Sequence, residues 1–410
     1  MTPHAEIDPL SHDFLVDPYP LLARQRVAAP VAFCEDLDMW IVTRWEDVDT
    51  VFRNHQIFSA GNVQAPLLPL CDEAMGVLKG RFNIQPVMSN LDQPEHTRIR
   101  RKLARAFSAR RLQVLTPIVK QRCETLLNEF ADERQGDLAK GLCYPLPALT
   151  IFSMVGFPEE DADQIKEWCA DKLIVNWGRP SEDHQIRAAQ TMVAFWDYCV
   201  DYVAHRRSNP ADNMTSDLMA DDRDGEPLTD CELASILFGL SFAGHETTTN
   251  QASNCIRRVL QNGLWPKLKT DRSLIDGVIE ESLRHDSSVV AWRRITTQET
   301  ELGGVSLPKG AKVMISLAAA NRDPAKFENP DRFDPLRERA RDHLSFGQGI
   351  HLCLGRLLSK IELDAILNSM LDRFATLELQ HDTTLDFPPN ISFRGPVHLP
   401  ATWTLEDRGR

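Results

Sequence analysis

Hydrophobic positions in this chain recur mostly at three- and four-residue intervals, the period of a helix buried on one side. After a turn and short helix near 17–26, apolar runs at 31–33 and 39–43 flank a polar turn and predict two strands. Residues 45–52 are amphipathic and predict a helix. Between 59 and 87, isolated apolar residues stand among Pro66, Pro69, Gly76, Gly80 and Pro86. That predicts an irregular loop with one short helix, the kind of segment that covers a site. Asp92 is placed to cap a helix with Pro94 in its first turn, on which His96 and Arg100 share a face. Helical period then dominates from 109 to 207, broken at Gly136, Pro145, Pro158 and Trp177-Gly178-Arg179-Pro180. A polar linker at 221–227 precedes Thr229-Asp230-Cys231-Glu232, a capping box. The helical run it opens, to about Asn262, is the longest in the chain. At about 1.5 Å per residue it would span roughly 50 Å and cross the molecule. Helix resumes over 274–285 and strand-like pieces follow at 289–295 and 312–315. Residues 321–342 are irregular. A last helix runs from just after Cys353 to about Phe374, before short closing strands.

Composition narrows the function. The 410 residues are 42% hydrophobic and 26% charged, enough for a large core. Length alone suggests two or three domains, but no long linker or internal repeat divides the chain. A net charge of −13 without a basic cluster excludes nucleic acid as an expected partner. No run of about 18 apolar residues offers a membrane span, and the polar start, Met-Thr-Pro-His-Ala-Glu, has no secretory leader pattern. A cytoplasmic location is expected. The nine cysteines include no C-x-x-C pair, which argues against a disulfide framework and against a zinc or iron–sulfur site of local spacing.

One stretch concentrates unusual chemistry: Phe346-Gly-Gln-Gly-Ile-His351-Leu-Cys353-Leu-Gly355. Gly347, Gly349 and Gly355 permit positive φ and close backbone approach. Cys353 falls at a helix start, where free N–H groups and the helix dipole favour a thiolate. A lone cysteine is also commonly a small buried hydrophobe. The spacing Phe-x-x-Gly-x-His-x-Cys-x-Gly, however, resembles the haem-ligand loop of the cytochrome P-450 family. The resemblance implies that Cys353 is the axial ligand of haem iron, as a thiolate that promotes O–O cleavage. It also implies the fold: mainly α with a small β-rich part, with haem between the long central helix and the cysteine loop. The whole chain, 1–410, would then be one haem domain.

The resemblance extends to other segments. Ala243-Gly244-His245-Glu246-Thr247-Thr248-Thr249 interrupts the long helix with weak helix formers. In the family this motif makes the oxygen-binding groove, with Ala243 and Gly244 against the cofactor and ligand, Thr247 hydrogen-bonding bound dioxygen and Glu246 feeding protons through water. Glu281, Arg284 and Arg332 correspond to a structural triad. His96, Arg100, Arg294 and His351 correspond to haem-propionate contacts, with Arg293 a competitor for Arg294. Phe346 and Gly355 complete the cofactor loop. Val87, Gly239, Phe242, Val290, Ile391 and Phe393 would line an apolar substrate pocket.

A narrower likeness, to the haem domains of self-sufficient bacterial members, rests on Trp177-Gly178-Arg179-Pro180, Ala291-Trp292-Arg293-Arg294 and Pro389-Asn390-Ile391-Ser392-Phe393-Arg394-Gly395-Pro396. Here the reductase is expected to be a separate protein and not a fused domain. The implied activity is a haem b (iron protoporphyrin IX) monooxygenase that uses dioxygen to hydroxylate or O-dealkylate a small hydrophobic or aromatic substrate. Electrons would come from NAD(P)H through a separate iron–sulfur ferredoxin and its flavin reductase. A peroxide-driven peroxygenase and a haem-based sensor are the competing readings.

Overall fold

A computed structural model describes residues 2–223, 225–380 and 385–407. Asp224, inside the linker expected at 221–227, and Arg410 lie outside them. The elements used below are β1 (Val31–Cys34), β2 (Met39–Val42), α1 (Trp45–Arg53), β3 (Phe58–Ser59), α2 (Glu95–Ala106), α3 (Ala109–Phe130), α4 (Pro145–Val155), α5 (Ala162–Trp177), α6 (Glu182–Ser208), α7 (Asp230–Gln261), α8 (Ile275–His285), β4 (Ala291–Thr296), β5 (Lys312–Ser316) and α9 (Arg356–Arg373). The expected mainly helical architecture with a small β part is what forms.

Helix α7 is the axle. Its 32 residues begin with the capping box read from the sequence: Thr229 Oγ1 accepts from the Glu232 N–H at 3.2 Å, and Glu232 Oε2 accepts from the Thr229 N–H at 2.8 Å. Most of its length is buried, because α4, α6 and α8 pack round it. Gly244 sets the closest of these crossings. A Cβ there would lie 2.5 Å from Ile151 Cγ1 and 2.9 Å from Ile151 Cβ, on α4. The glycine is therefore required by helix packing. This packing need stands beside the expectation that the glycine opens the backbone to a ligand, since Gly244 is also half-exposed. Gly244→Ala gains about 1 kcal/mol of helix propensity but overpacks the crossing, which costs about 1–3 kcal/mol. A net loss of stability, measured by denaturant unfolding, is expected, and equal or greater stability would contradict this packing account.

The main sheet has the order β1-β2-β5-β4-β3, with β2 and β5 parallel and the other neighbours antiparallel. In it, Arg293 pairs with Met314 and Arg294 with Val313. Side chains alternate along a strand, so the two arginines leave β4 on opposite faces.

Asp92 is not a helix cap. Helix α2 starts after Pro94 without a side-chain cap. The Asp92 carboxylate instead accepts from Ser59 Oγ and, at 3.1 Å, from the Ala60 N–H, pinning the entry of the 59–87 loop. The competition was between a local cap and a distant corner, and the corner supplied two donors.

Candidate active site

The cysteine loop is shaped by its neighbours. Gly349 has φ +69°, and a Cβ there would meet the Phe52 carbonyl of α1 at 2.6 Å. The Cys353 N–H donates to the Phe346 carbonyl at 2.8 Å and closes the loop. Gly355 has an ordinary φ of −82°, and a Cβ on it would approach only Cys353 Sγ, at 4.0 Å. Its lack of a side chain leaves room beside the sulfur. Burial pushes the Cys353 thiol up; the N–H groups of Gly355 and Arg356 and the charges of Arg100 and Arg356 oppose this without reversing it. The N–H groups at the helix start thus favour the thiolate, as expected from position, while burial works against it.

The loop is anchored from behind. Glu281 and Arg284 are fully buried, with bonds from Arg284 Nε to Oε2 and from Nη2 to Oε1, both 2.7 Å. The third member is Arg337, whose Nε reaches both Glu281 oxygens at 3.1 Å. This corrects Arg332. Its side chain is exposed, and it contributes only its carbonyl, to Arg284 at 3.2 Å and Arg337 at 3.0 Å. From this knot Arg284 holds the Asn321 carbonyl at 2.9 Å. Asn321 in turn accepts from the Leu344 N–H at 2.7 Å and donates to Ser345 Oγ at 2.9 Å, one residue before the loop begins.

On the other side, α7 presents a stripe. Gly239, Ala243 and Thr247, four apart, are exposed or half-exposed, with Leu240, Gly244 and Glu246 half-exposed beside them, in the middle of a helix most of whose other residues are buried. Thr248 Oγ1 lies 3.5 Å from Ser359 Oγ of α9, so the stripe is tied to the helix that follows Cys353. Thr247 Oγ1 donates to the Ala243 carbonyl at 2.9 Å. Glu246 points elsewhere: its carboxylate is 3.1 Å from His245 Nε2, and its charge is felt by Tyr144 and Cys169. Buried His245, given no role from sequence, also places Nδ1 2.6 Å from the Ser241 carbonyl.

His96, Arg100, Arg294 and His351 converge. The His96 and His351 rings are 4.4 Å apart, and both nitrogens of His96 and Nε2 of His351 are buried without a hydrogen-bond partner. Arg100 Nη2 donates to the Leu352 carbonyl at 2.5 Å, while the buried Arg294 guanidinium lies over the Phe52 ring and donates to the Arg293 carbonyl at 2.7 Å. Burial first, then the neighbouring cations, pushes His96 down to about 4 and His351 to about 3; burial takes Arg294 to about 10. Asp92 is the carboxylate that acts on this cluster, and it is already engaged at Ser59. Buried donors and cations without acids are what two propionates would satisfy. Together with the room beside Cys353 Sγ, this set fits haem.

The six expected pocket residues do not form one group. Val87 and Phe242 belong to one buried cluster, and a Cβ added at Gly239 would lie 3.5 Å from Val87 Cγ2. Val290, Ile391 and Phe393 belong to another, with Trp177 and the N-terminal Phe14, and border a cleft with Leu15 and Pro18. The expected lining is thus drawn from two buried groups. The second group is held by backbone bonds, from Val290 N–H to Ser392 at 2.7 Å and Ile391 N–H to Trp177 at 2.9 Å. These bonds bring together the three segments of the narrower likeness, with Trp177 stacked on Trp292 at 5.3 Å. Among the described residues all nine cysteines are free, and no helix is long and apolar enough to cross a membrane.

Comparison with known proteins agrees with this geometry. The family profile "Cytochrome P450" matches residues 266–396. The chain is 34% identical over 369 residues to Cytochrome P450 107B1 of Saccharopolyspora erythraea, covering 89% of each. Among solved structures it is similar to cytochrome P450 CREJ in complex with (4-ethylphenyl) dihydrogen phosphate, with a TM-score of 0.94, 35% identity, and 98% of this chain and 100% of that one covered. It is also similar to an intact type IV self-sufficient cytochrome P450 monooxygenase, with a TM-score of 0.92 and 33% identity, covering 97% of this chain but 53% of that one. With its cysteine loop, uncovered helix stripe and buried basic cluster in place, the chain belongs to the cytochrome P450 family and is a monooxygenase.

Proposed function

We propose that residues 1–410 act as one haem domain that hydroxylates or O-dealkylates a small hydrophobic or aromatic substrate. The observation that carries this reading is the Gly239–Ala243–Thr247 stripe, uncovered on a buried helix that is tied to the one following Cys353. When bound, haem supplies the thiolate-ligated iron that activates dioxygen. Cys353 would hold the iron, and His96, Arg100, Arg294 and His351 would hold the propionates. The residues of α7 then manage protons. Thr247 Oγ1 spends its own proton on the Ala243 carbonyl, so its lone pairs are free to accept from a water or hydroxyl in the groove. Glu246, beside His245, is placed to relay protons inward through water. The aromatic phosphate in the CREJ complex supports a compact aromatic substrate here.

Electrons come, in this reading, from NAD(P)H through a separate iron–sulfur ferredoxin and flavin reductase, in the cytoplasm, where nine free thiols stay reduced. Thr247→Ala tests the proton arrangement. Haem binding is retained and NAD(P)H is still consumed, but product per NAD(P)H falls about tenfold, with peroxide released instead. Product, peroxide and NAD(P)H measured together decide it, and unchanged coupling would sink the role. Turnover with peroxide alone that outpaces the ferredoxin system would overturn the oxygen route.

A further inference from the structure

We propose that Lys172 of α5 receives an anionic head group on the substrate; this rests on the aromatic-substrate reading above and sharpens it. Buried positions on α5 run Ala162, Ile165, Cys169, Lys172, Asn176, spaced three and four apart. A lysine thus occupies the core-facing stripe of the helix. Lys172 is only 7% exposed. Its ammonium lies 4.6 Å from the centre of the Phe242 ring and 5.9 Å from that of Phe238. Phe242 directly precedes Ala243 of the uncovered stripe. Among the described residues the ammonium makes one hydrogen bond, to Gln64 Oε1 at 2.8 Å. Gln64 belongs to the 59–87 loop and also donates to Ser89 Oγ at 3.0 Å.

A second buried cation stands nearby. Arg293 leaves β4 on the face away from the haem cluster and lies 4.0 Å over the Trp177 ring. It donates to the Val63 and Ala65 carbonyls at 3.0 and 2.7 Å, while its Nε is buried without a partner. Burial pushes Lys172 down to about 8; Cys169 opposes this and Arg293 adds to it. No carboxylate bonds to either group among the described residues. Asp171, next in the chain, is engaged with His184 at 2.8 Å.

Buried charges are normally paired, because an uncompensated one is costly. If Lys172 served only to latch the loop to α5, a neutral amide would make the same bond to Gln64 without that cost. A cation between the loop and the aromatic wall of α7 gains its partner when an anion enters. Carboxylates and phosphate monoesters share the required chemistry. An aromatic ring against Phe242 and Val87, with its acid toward Lys172, would leave its far end along the Gly239–Ala243 stripe.

Calorimetric titration of the haem-loaded protein with 4-ethylbenzoate, 4-ethylphenyl phosphate and neutral 4-ethylbenzamide tests this, alongside Lys172→Met. One anion at least should bind about tenfold tighter than the amide, the size of a charge-assisted hydrogen bond. Whichever anion binds tighter names the head group. In Lys172→Met that ratio should fall to about one, which a loop latch without anion recognition would not produce. An amide that binds the native protein as tightly as both acids, or a preference that survives in the variant, overturns the proposal. Lys172→Gln, which can still bond Gln64, takes its place if the methionine variant does not fold. The ratio is independent of turnover, so failure of the proton or electron-partner reading leaves it intact, and its own failure leaves the Thr247→Ala test intact.

Discussion

Cys353→Ser should abolish the red-shifted carbon monoxide band of thiolate-ligated haem and, with it, substrate oxidation. The substitution is nearly isosteric, and the bond from the residue-353 N–H to the Phe346 carbonyl is backbone, so the loop should keep its shape. The basic cluster at His96, Arg100, Arg294 and His351 is untouched and should still hold haem, more weakly. What disappears is electron donation by sulfur. Losing only about 4 kcal/mol of transition-state stabilisation is a factor of about 10³ in rate, and product formation should fall at least that far. Reduced-minus-carbon-monoxide spectra and product assays read the two effects. A serine variant that retains the band would remove Cys353 from its role.

Glu281→Gln should be the most damaging substitution outside the site. The carboxylate is fully buried and takes four bonds from the guanidinium groups of Arg284 and Arg337, plus the Asp334 N–H at 2.9 Å. Glutamine removes the charge and replaces one acceptor by a donor that faces two arginines. Breaking one side of a buried ion pair costs about 3–5 kcal/mol, a large part of the stability of most domains. Because Arg284 also holds Asn321, and Asn321 holds Leu344 and Ser345, the loss should spread to the Cys353 loop as weakened haem retention. Thermal unfolding and haem release should change together. A variant of native stability would show that the knot is dispensable. Arg332→Ala is the contrasting control, since only its carbonyl takes part.

These residues also show where sequence reading stops. The Cys353 loop and the capping box at Thr229 were legible because their spacing is local and their chemistry follows from a few neighbouring positions. Glu281 and Arg284 were legible as a pair for the same reason. Their third partner was not, because the path of the irregular segment decides whether Arg332 or Arg337 turns inward. Asp92 looks like a cap in sequence but bonds Ser59, and the packing of Gly244 on Ile151 is invisible there, because both partners are close only after folding. Lys172 does leave a signal in the sequence, a charge at a core position of a helical stripe. The expected pocket rests on apolar residues, and apolarity alone does not distinguish a pocket wall from core; Val290, Ile391 and Phe393 lie in a buried cluster and also border a cleft.

The opposed arginines of β4 have a consequence for how the chain tolerates changes in length. Arg294 joins the cluster of His96, Arg100 and His351, and Arg293 fastens residues 63–65 on the other face. Deleting one residue just before the strand, at Ser288 for example, would exchange the two faces at once. The cofactor cluster and the loop fastening would fail together, although neither arginine had been replaced. Insertions at the Gly303-Gly304 turn, beyond the strand, leave that alternation untouched. Engineered or natural variants of this protein should therefore vary in length after β4 and hold it fixed immediately before.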